Sequence, residues 1–362
     1  MLIQTPNGEV NRLFERQEPQ ILRYVGIGLE NNYGEMVPPV QFMDIASSSL
    51  DSPTETEIDY SGGLSRGTRV HRPGAYIPEG DLTYAIDIHS IGYLLLLTLG
   101  RWTQTGPDEE NFYTYEMKNK KNGLTLPSAS VYLGKDLFEH QFSGACVDQL
   151  ELSIEDEYAE ATVSFNTSKD KKGTLREESN LVLPDAYPLV FHDLDLTLDG
   201  IDRGPDLESL TLTIANNTDA EAGIGGSGSR YPQMIYAGDI EITFDLELAF
   251  NTLEEKQSFW GALDGPSETG SDEQEVIITI DSGDYGSLEL KMPRTVYQEV
   301  GVQPEGRDRL TQSISGKAYH STDIDALIKA TLTNRLNYFS QTTNDLYASA
   351  ETNLDATNTN LA

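Results

Sequence analysis

A strictly alternating segment, GDIEITFDLELAF at residues 238–250, limits the possible folds of this chain more than any other feature. Apolar side chains occupy every second position from Ile240 to Phe250, and most of the positions between them are carboxylates. Successive side chains of a β-strand point to opposite faces of its sheet. The pattern therefore predicts a strand with one buried face and one acidic face.

The same alternation recurs in five other segments, which are separated by Gly, Asn, Asp and Pro turn residues. These segments are HDLDLTLDG (192–200), DQLELSIED (148–156), ESLTLTIAN (208–216), QEVIITIDSG (274–283) and GSLELKMP (286–293). We therefore expect a mainly β fold built from antiparallel strands.

Two short helices are predicted, each after a strand that begins with Gly-Asp. Ser90 is the expected N-cap of the first helix, and Gly100 is its expected left-handed terminator. In the second helix, Asn251 is the expected N-cap, Glu254 completes a capping box, and Gly265 ends the helix.

This loop, strand and helix order suggests an internal repeat. Residues 80–87 align with residues 238–245 at a constant shift of 158 (238 − 80), and both segments follow a long Gly-, Ser- and Arg-containing loop. We expect an N-terminal arm at 1–16, a first β domain at 17–185, a second at 186–339, and a polar C-terminal tail at 340–362.

The chain is strongly acidic, with 25 Lys and Arg against 59 Asp and Glu and a formal net charge of −34. Such a surface repels nucleic acid rather than gripping it. It remains soluble in concentrated salt, where the Debye length falls to about 3 Å, so a halophilic source is expected. No signal peptide is expected at the N-terminus, and the apolar block YLLLLTL is too short to span a membrane.

No catalytic, cofactor-binding or metal-binding constellation is apparent, and we predict a protein that is not an enzyme. The histidines are scattered, and the single Cys146 lacks a catalytic signature. Asp193, Asp195 and Asp199 fit the solvated face of a strand better than a calcium loop. The GIGGSG segment at 223–228 lacks the Lys-Ser/Thr ending of a phosphate loop, so it is expected to be a flexible loop.

The candidate site residues are four arginines in the two long loops, 59–80 and 216–238. They are Arg66, Arg69, Arg72 and Arg230. We expect these cations to contact carboxylates on another copy of the same acidic chain. The alternative is that they are ordinary solvated loop residues.

The sequence also resembles a known family. YVGIGLENNYGEMVPPVQFMDIASSSLD (24–51), followed by the Arg/Gly loop, GDL and an apolar helix ending in Leu-Gly at residue 100, is similar to the N-terminal part of the major tail tube proteins of long-tailed, siphovirus-like viruses. LESLTLTIANNTD (207–219) and GSLELKMPRTVYQEV (286–300) resemble the second half of such proteins. The resemblance covers most of residues 20–320.

The resemblance implies a tail-tube β-sandwich with short flanking helices, whose inner strands join those of neighbouring subunits in a barrel around a channel. Two tandem tube-like domains would give a ring of three chains with pseudo-sixfold symmetry, whereas an unduplicated chain would need six. The implied partners are copies of the chain and other tail proteins at the tube ends. Viral DNA would pass without specific binding, and no membrane is involved.

The implied location is the virion tail, after synthesis in the cytoplasm of a host expected to be a halophilic archaeon. The sequence leaves open which strands face the channel. A secreted or surface β-sandwich that binds carbohydrate or protein is the main alternative. An enzyme on a β scaffold, such as a glycosidase with two facing carboxylates, is a further one.

Overall fold

Antiparallel strands dominate the computed structural model of the chain, as the alternation predicted. The structure describes residues 3–4, 10–11, 23–39, 41–53, 57–60, 70–155, 158–181, 183, 187–220, 230–302 and 309–338. The strands are β1 (Ile3–Gln4), β2 (Val10–Asn11), β3 (Tyr24–Leu29), β4 (Gln41–Asp44), β5 (Ser47–Ser48), β6 (Glu57–Tyr60), β7 (Val70–Pro73), β8 (Glu79–Ala85), β9 (Gly100–Thr105), β10 (Tyr113–Asn119), β11 (Ala129–Lys135), β12 (Phe138–Ile154), β13 (Glu160–Asn166), β14 (Lys169–Gly173), β15 (Leu194–Leu198), β16 (Ile201–Asp202), β17 (Leu207–Ala215), β18 (Glu241–Ala249), β19 (Glu273–Asp281), β20 (Gly286–Val302), β21 (Thr311–Ala318) and β22 (Lys329–Asn334). The α-helices in these residues are α1 (Ile91–Leu99) and α2 (Glu254–Trp260).

The first half contains two sheets that share the 17-residue strand β12. The first part of β12 lies in the sheet β4-β3-β11-β12-β14. Its second part lies in the sheet β5-β8-β13-β12. A β-bulge between Val147 and Gln149 lies where β12 passes from one sheet to the other, and bulges bend strands in this way.

The second half repeats this pairing order around the 17-residue strand β20. Its sheets are β16-β15-β19-β20-β22 and β17-β18-β21-β20. A bulge between Tyr297 and Glu299 occupies the place of the bulge in β12. Helix α1 packs against β12, and α2 packs against β20.

The two halves share strand pairings and a core. β12 pairs with β17, and β10 pairs with β22, so hydrogen bonds cross between the halves. One cluster of buried apolar side chains includes residues from all four sheets and from α1. The predicted boundary between 185 and 186 lies outside the described residues, as do the tail 340–362 and, apart from the hairpin β1–β2, the arm 1–16.

The two halves share one pairing order, but the residues that correspond in it differ from the predicted alignment. Ser164 of β13 lies opposite Asp81 of β8, and Ser315 of β21 lies opposite Asp245 of β18. Each serine hydroxyl donates a 2.6 Å hydrogen bond to the opposite aspartate. Asp81 therefore corresponds to Asp245, a shift of 164 (245 − 81) rather than 158. Of the Gly-Asp pairs that suggested the alignment, Gly80-Asp81 lies within β8, whereas Gly238-Asp239 precedes β18.

The predicted first helix is confirmed, although its cap differs. Gly100 ends α1 in the left-handed conformation at φ 73°. At the other end the carboxylate of Asp87 accepts the backbone N–H groups of His89 and Ser90 at 2.8 and 2.9 Å. The Ser90 hydroxyl donates to the same carboxylate instead of capping the helix.

The predicted ends of the second helix are wrong. Helix α2 spans Glu254–Trp260, and Gly261, with φ 66°, terminates it in place of the predicted Gly265. A Cβ atom at position 261 would lie 2.0 Å from the Gly270 carbonyl oxygen, so only glycine fits there. The Asn251 side chain donates to Asp206 at 2.6 Å and does not cap the helix.

No helix among the described residues has the length and apolar character needed to cross a membrane.

Candidate functional site

Eight strands form one continuous antiparallel sheet across both halves. Their order is β5-β8-β13-β12-β17-β18-β21-β20, and we call this the long sheet. At its centre β12 meets β17, with Gln149 opposite Ala215 and Ile154 opposite Leu210. Among the described residues, no pairing joins β5 to β20. The long sheet therefore has two open edges within one chain.

The two faces of the long sheet differ sharply. One face is apolar and buried in the core, as with Leu82, Val163, Leu152 and Leu212. The other face carries the alternate residues, which are mainly Ser, Thr, Asp and Glu and are half-buried or exposed. The alternation seen in the sequence thus places most of the polar side chains of these strands on a single surface, which we call the acidic face.

The acidic face carries eight carboxylates and one ammonium group. The carboxylates are Glu79, Asp81, Glu151, Glu160, Glu241, Asp245, Glu247 and Glu299. The ammonium group belongs to Lys317, which lies 2.5 Å from Glu241. This hydrogen bond raises the pKa of Lys317. Because carboxylates outnumber cations on this face, the surface has a negative potential.

Hydroxyl groups orient the carboxylates of this face. Asp81 accepts hydrogen bonds from Ser164 at 2.6 Å and from Ser49 at 3.3 Å. Thr83 and Thr162 form a cross-strand pair at 3.1 Å. The surface is therefore hydrated and negatively charged without large exposed apolar groups.

The open edge beside β5 is covered by local side chains. The backbone N–H groups of Leu50 and Ser52 donate to the Ser48 hydroxyl at 3.1 Å and the Asp51 carboxylate at 2.8 Å. The ammonium group of Lys135 donates to the Leu50 carbonyl at 3.1 Å and lies 3.1 Å from Asp51. These contacts satisfy the outward-pointing N–H groups of Leu50 and Ser52 and the carbonyl of Leu50.

A buried polar cluster supports the same edge. His140 Nε2 lies 2.9 Å from Asp170, and the Ser52 hydroxyl donates to this carboxylate at 2.5 Å. Burial alone would raise the pKa of Asp170, but the hydrogen bonds from Ser52, His140 and Tyr76 outweigh it and hold the pKa below its usual range.

The opposite edge, beside β20, is covered in a similar way. Lys256 of α2 donates from its ammonium group to the backbone carbonyl of Val300. The same ammonium group lies 5.1 Å from the ring centre of Phe259 and 5.6 Å from that of Trp260. Lysines on strand edges are a common protection against unwanted pairing.

The four predicted arginines fall in different places. Arg66 and Arg69 lie outside the described residues. Arg72 is exposed on β7, opposite Ile58. Arg230 donates from Nε to the Gly74 carbonyl at 2.8 Å, and its guanidinium lies 5.5 Å from the ring centre of Tyr76.

Arg230 therefore links the two long loops within the chain. The backbone supports the same link, because the Tyr76 N–H donates to the Arg230 carbonyl at 2.9 Å.

The predicted solvated strand face of three aspartates is only partly right. Asp195 is exposed on β15, whereas Asp193 ends a short 3₁₀ helix and accepts the Val190 N–H at 3.0 Å. Asp199 and Gly200 both have positive φ and form the two-residue turn between β15 and β16.

Other sequence features bear on chemistry only weakly. Burial raises the pKa of the Cys146 thiol to about 12. The segment 223–228 lies outside the described residues. Within the described ranges, no group of three or more His, Cys, Asp and Glu residues is placed to hold a metal ion.

The sequence did not indicate the open edges or the lysines that cover them. Lys135 and Lys256 carry no local signal, because their importance depends on which strands have a free edge. The polar residues of the acidic face were visible in the alternation, but their assembly on one surface depends on the long-range pairing of β12 with β17.

Comparison with protein families identifies one match. A family model described as phage tail tube protein matches residues 22–318, which include all the strands of the long sheet. No curated protein matches the chain.

Proposed function

The chain belongs to the phage tail tube protein family, and on this premise we propose that it polymerises into stacked rings that form the hollow tail tube through which viral DNA passes. Membership implies a structural component of the virion that assembles with itself and with other tail proteins. The finer points of the proposal are the ring, its symmetry and the surface that lines the channel.

The acidic face of the long sheet is the observation that carries the proposal. A sheet with one buried face and one hydrated face suits the wall of a water-filled channel. DNA phosphates are repelled by carboxylates and find few cations to bind, so DNA slides along such a wall without sticking. We therefore assign the acidic face to the lumen.

The register of the long sheet supports a barrel. The row of opposite residues that starts at Asp81 passes through Ser164, Gln149 and Ala215 and reaches Glu241 on β18. The equivalent of Asp81 is Asp245, four residues further along β18 (245 − 241). A stagger of four residues over four strands gives a strand tilt of about 35°, which is typical of closed barrels.

We propose that three chains form each ring, with the two halves as tandem tube-like domains at 17–185 and 186–339. The recurrent pairing order and the matching bulges of β12 and β20 support the duplication. Three chains supply 24 strands of the long sheet. At about 4.8 Å spacing and about 35° tilt, these strands enclose a backbone diameter of about 45 Å.

The long loop at 59–80 is proposed as a connector between rings or subunits, with Arg66, Arg69 and Arg72 as its cations. Deletion of Ser65 to Gly74 should then leave folded subunits that do not form tubes. Normal tubes from this deletion would remove the connector role. We also propose, from the charge of −34, that the virus infects a halophilic archaeal host, in whose cytoplasm the protein is made.

Negative-stain electron microscopy of the purified protein in molar salt, with sedimentation of the same sample, tests the main proposal. Hollow rings or tubes with threefold or pseudo-sixfold symmetry are expected. A homogeneous monomer that yields no rings across protein and salt concentrations, even with tail extract added as an initiator, would overturn it.

A further inference from the structure

The two open edges of the long sheet correspond to the two strands that meet at its centre. The segment 47–53 beside β8 corresponds to 209–215 of β17, at a shift of 162, because Ser47 and Ser209 lie opposite the equivalent residues Thr83 and Glu247. The matching bulges align the second part of β20 with that of β12 at a shift of 150. One chain thus contains a formed junction, β12 with β17. It also contains the counterparts of these two strands, the end of β20 and the segment 47–53, which do not pair with each other.

The backbone of the β5 edge has the orientation that such a junction requires. The N–H groups of Ser49 and Asp51 point inward and donate to the carbonyls of Asp81 and Glu79 in β8, at 2.9 and 3.5 Å. Residues at alternate positions point the other way, so Leu50 and Ser52 present their backbone groups outward. The corresponding residues of β17 face β12.

We propose that the end of β20 in one chain pairs antiparallel with residues 50–53 of a second copy, in the register of the β12–β17 junction. Applying the shifts of 150 and 162 places Glu299 opposite Pro53, Val300 opposite Ser52, and Val302 opposite Leu50. The interface deepens the proposed function, on which it rests, by specifying the edges that close the ring. Pro53 fits because its nitrogen faces β8, so its missing N–H does not weaken the junction.

The two covering lysines have a defined role in this interface. Lys256 donates a hydrogen bond to the carbonyl of Val300, and in the proposed junction this carbonyl would accept the Ser52 N–H of the next chain instead. Lys135 occupies the carbonyl of Leu50 in the same way. Both carbonyls exchange an ammonium donor for a backbone donor when the edges pair, so neither is left unsatisfied.

The completed junction lacks these lysines. Lys135 lies opposite Phe138, and in the second half Ile280 lies opposite Leu288. The counterpart of Lys135 is therefore Ile280, which is not a lysine. Helix α1, the counterpart of α2, contains no lysine. The lysines are therefore found where an edge is open and are absent where it is already paired.

Disulfide trapping tests the register. In the variant Glu299→Cys with Pro53→Cys, the two residues form a pair without direct backbone hydrogen bonds, whose Cα separation of about 4.5 Å suits a disulfide. Mild oxidation of assembled protein should yield an interchain ladder on non-reducing gels that ends at a closed covalent trimer. The native Cys146 is buried and therefore shielded from the oxidant.

Two matched variants control the experiment. Gln149→Cys with Ala215→Cys occupies the corresponding positions of the internal junction and should form only an intrachain disulfide. Glu299→Cys with Asp51→Cys is displaced by two residues and should crosslink at least tenfold more slowly. Equal crosslinking of the displaced pair, or none in the proposed pair when tubes form, would overturn the proposed junction.

Hydrogen exchange on the wild-type chain provides a readout that does not depend on the cysteine variants. Assembly should protect the amides of Leu50, Ser52 and Val302, whereas those of Ser49 and Asp51 are bonded to β8 beforehand. Tubes without this protection would refute the junction but leave the tube function standing. A wild-type chain that forms neither rings nor tubes would refute the tube function itself.

Discussion

Replacement of Glu30 by glutamine should destabilise the first half strongly, because this buried carboxylate holds three segments together. Its side chain accepts hydrogen bonds from the Gly34 N–H, the Ser128 hydroxyl, the Ser130 hydroxyl and the Gly144 N–H, at 2.8 to 2.9 Å. Glu30 is only 3% exposed. The bonds connect the segment after β3 with β11 and β12.

The expected loss of stability follows from the donors. Each carboxylate oxygen accepts one hydroxyl and one backbone N–H. In either orientation, the glutamine NH₂ group would face one backbone N–H, and a buried unsatisfied donor costs about 1–3 kcal/mol. The hydroxyl on that side can rotate and accept instead. Weakening of the remaining charge-assisted bonds adds about 1 kcal/mol, so a total near 3 kcal/mol is expected.

Urea unfolding of Glu30→Gln beside the wild-type protein measures this difference. Glu35→Gln is the matched control, since it makes the same chemical change on the exposed surface, where one hydrogen bond from Asn32 is at stake. The control should change the unfolding free energy by less than about 0.5 kcal/mol. If Glu30→Gln were as stable as its control, the reasoning about the four bonds would be refuted.

Three further predictions concern charge and assembly. Lowering salt from molar to dilute buffer should lower the melting temperature, because repulsion among surface carboxylates is no longer screened; a melting temperature indifferent to salt would contradict this. Asp245→Lys with Glu247→Lys should make tubes retain duplex DNA in a gel-shift assay, with an affinity that falls as salt rises. The same change to lysine at exposed Asp264 and Glu268, which lie outside the long sheet, should make tubes retain much less DNA. Equal DNA retention by the two variants would argue against a luminal acidic face. Lys256→Met should shorten the lag of tube growth followed by light scattering, because the Val300 carbonyl loses its competing donor; an unchanged lag would exclude the proposed role of the lysine.

Local sequence patterns predicted individual strands and helices better than they predicted which of these elements lie next to each other. Alternation identified β12, β15, β17, β18, β19 and β20 because each has one face in the core, and Gly100 was found because a left-handed helix end favours glycine. The end of α2 was misplaced because two glycines, Gly261 and Gly265, were available, and the sequence does not show that the Gly270 carbonyl packs against position 261. The same limitation produced the wrong register between the halves.

The candidate site was predicted in character but not in place. Sequence analysis indicated an acidic surface that repels DNA, and it recognised segments of β8, β12, β17, β18 and β20, whereas β5, β13 and β21 were not recognised. Which strands lie side by side is set by pairings such as that of β12 with β17, whose opposite residues Gln149 and Ala215 are 66 positions apart (215 − 149) and share no local signal. The edge lysines could not be recognised before those pairings were known.

Strands β12 and β17 belong to the same polypeptide chain, and this has a kinetic consequence for assembly. The β12–β17 junction forms as the chain folds, at an effective concentration that dilution does not change. In the proposed ring, half of the six junctions are therefore present before two molecules meet, and closing the ring immobilises three bodies instead of six. Each body that need not be captured spares several kcal/mol of lost translational and rotational freedom. Ring nucleation should accordingly vary with about the third power of subunit concentration, so a tube can start growing while its protein is still scarce.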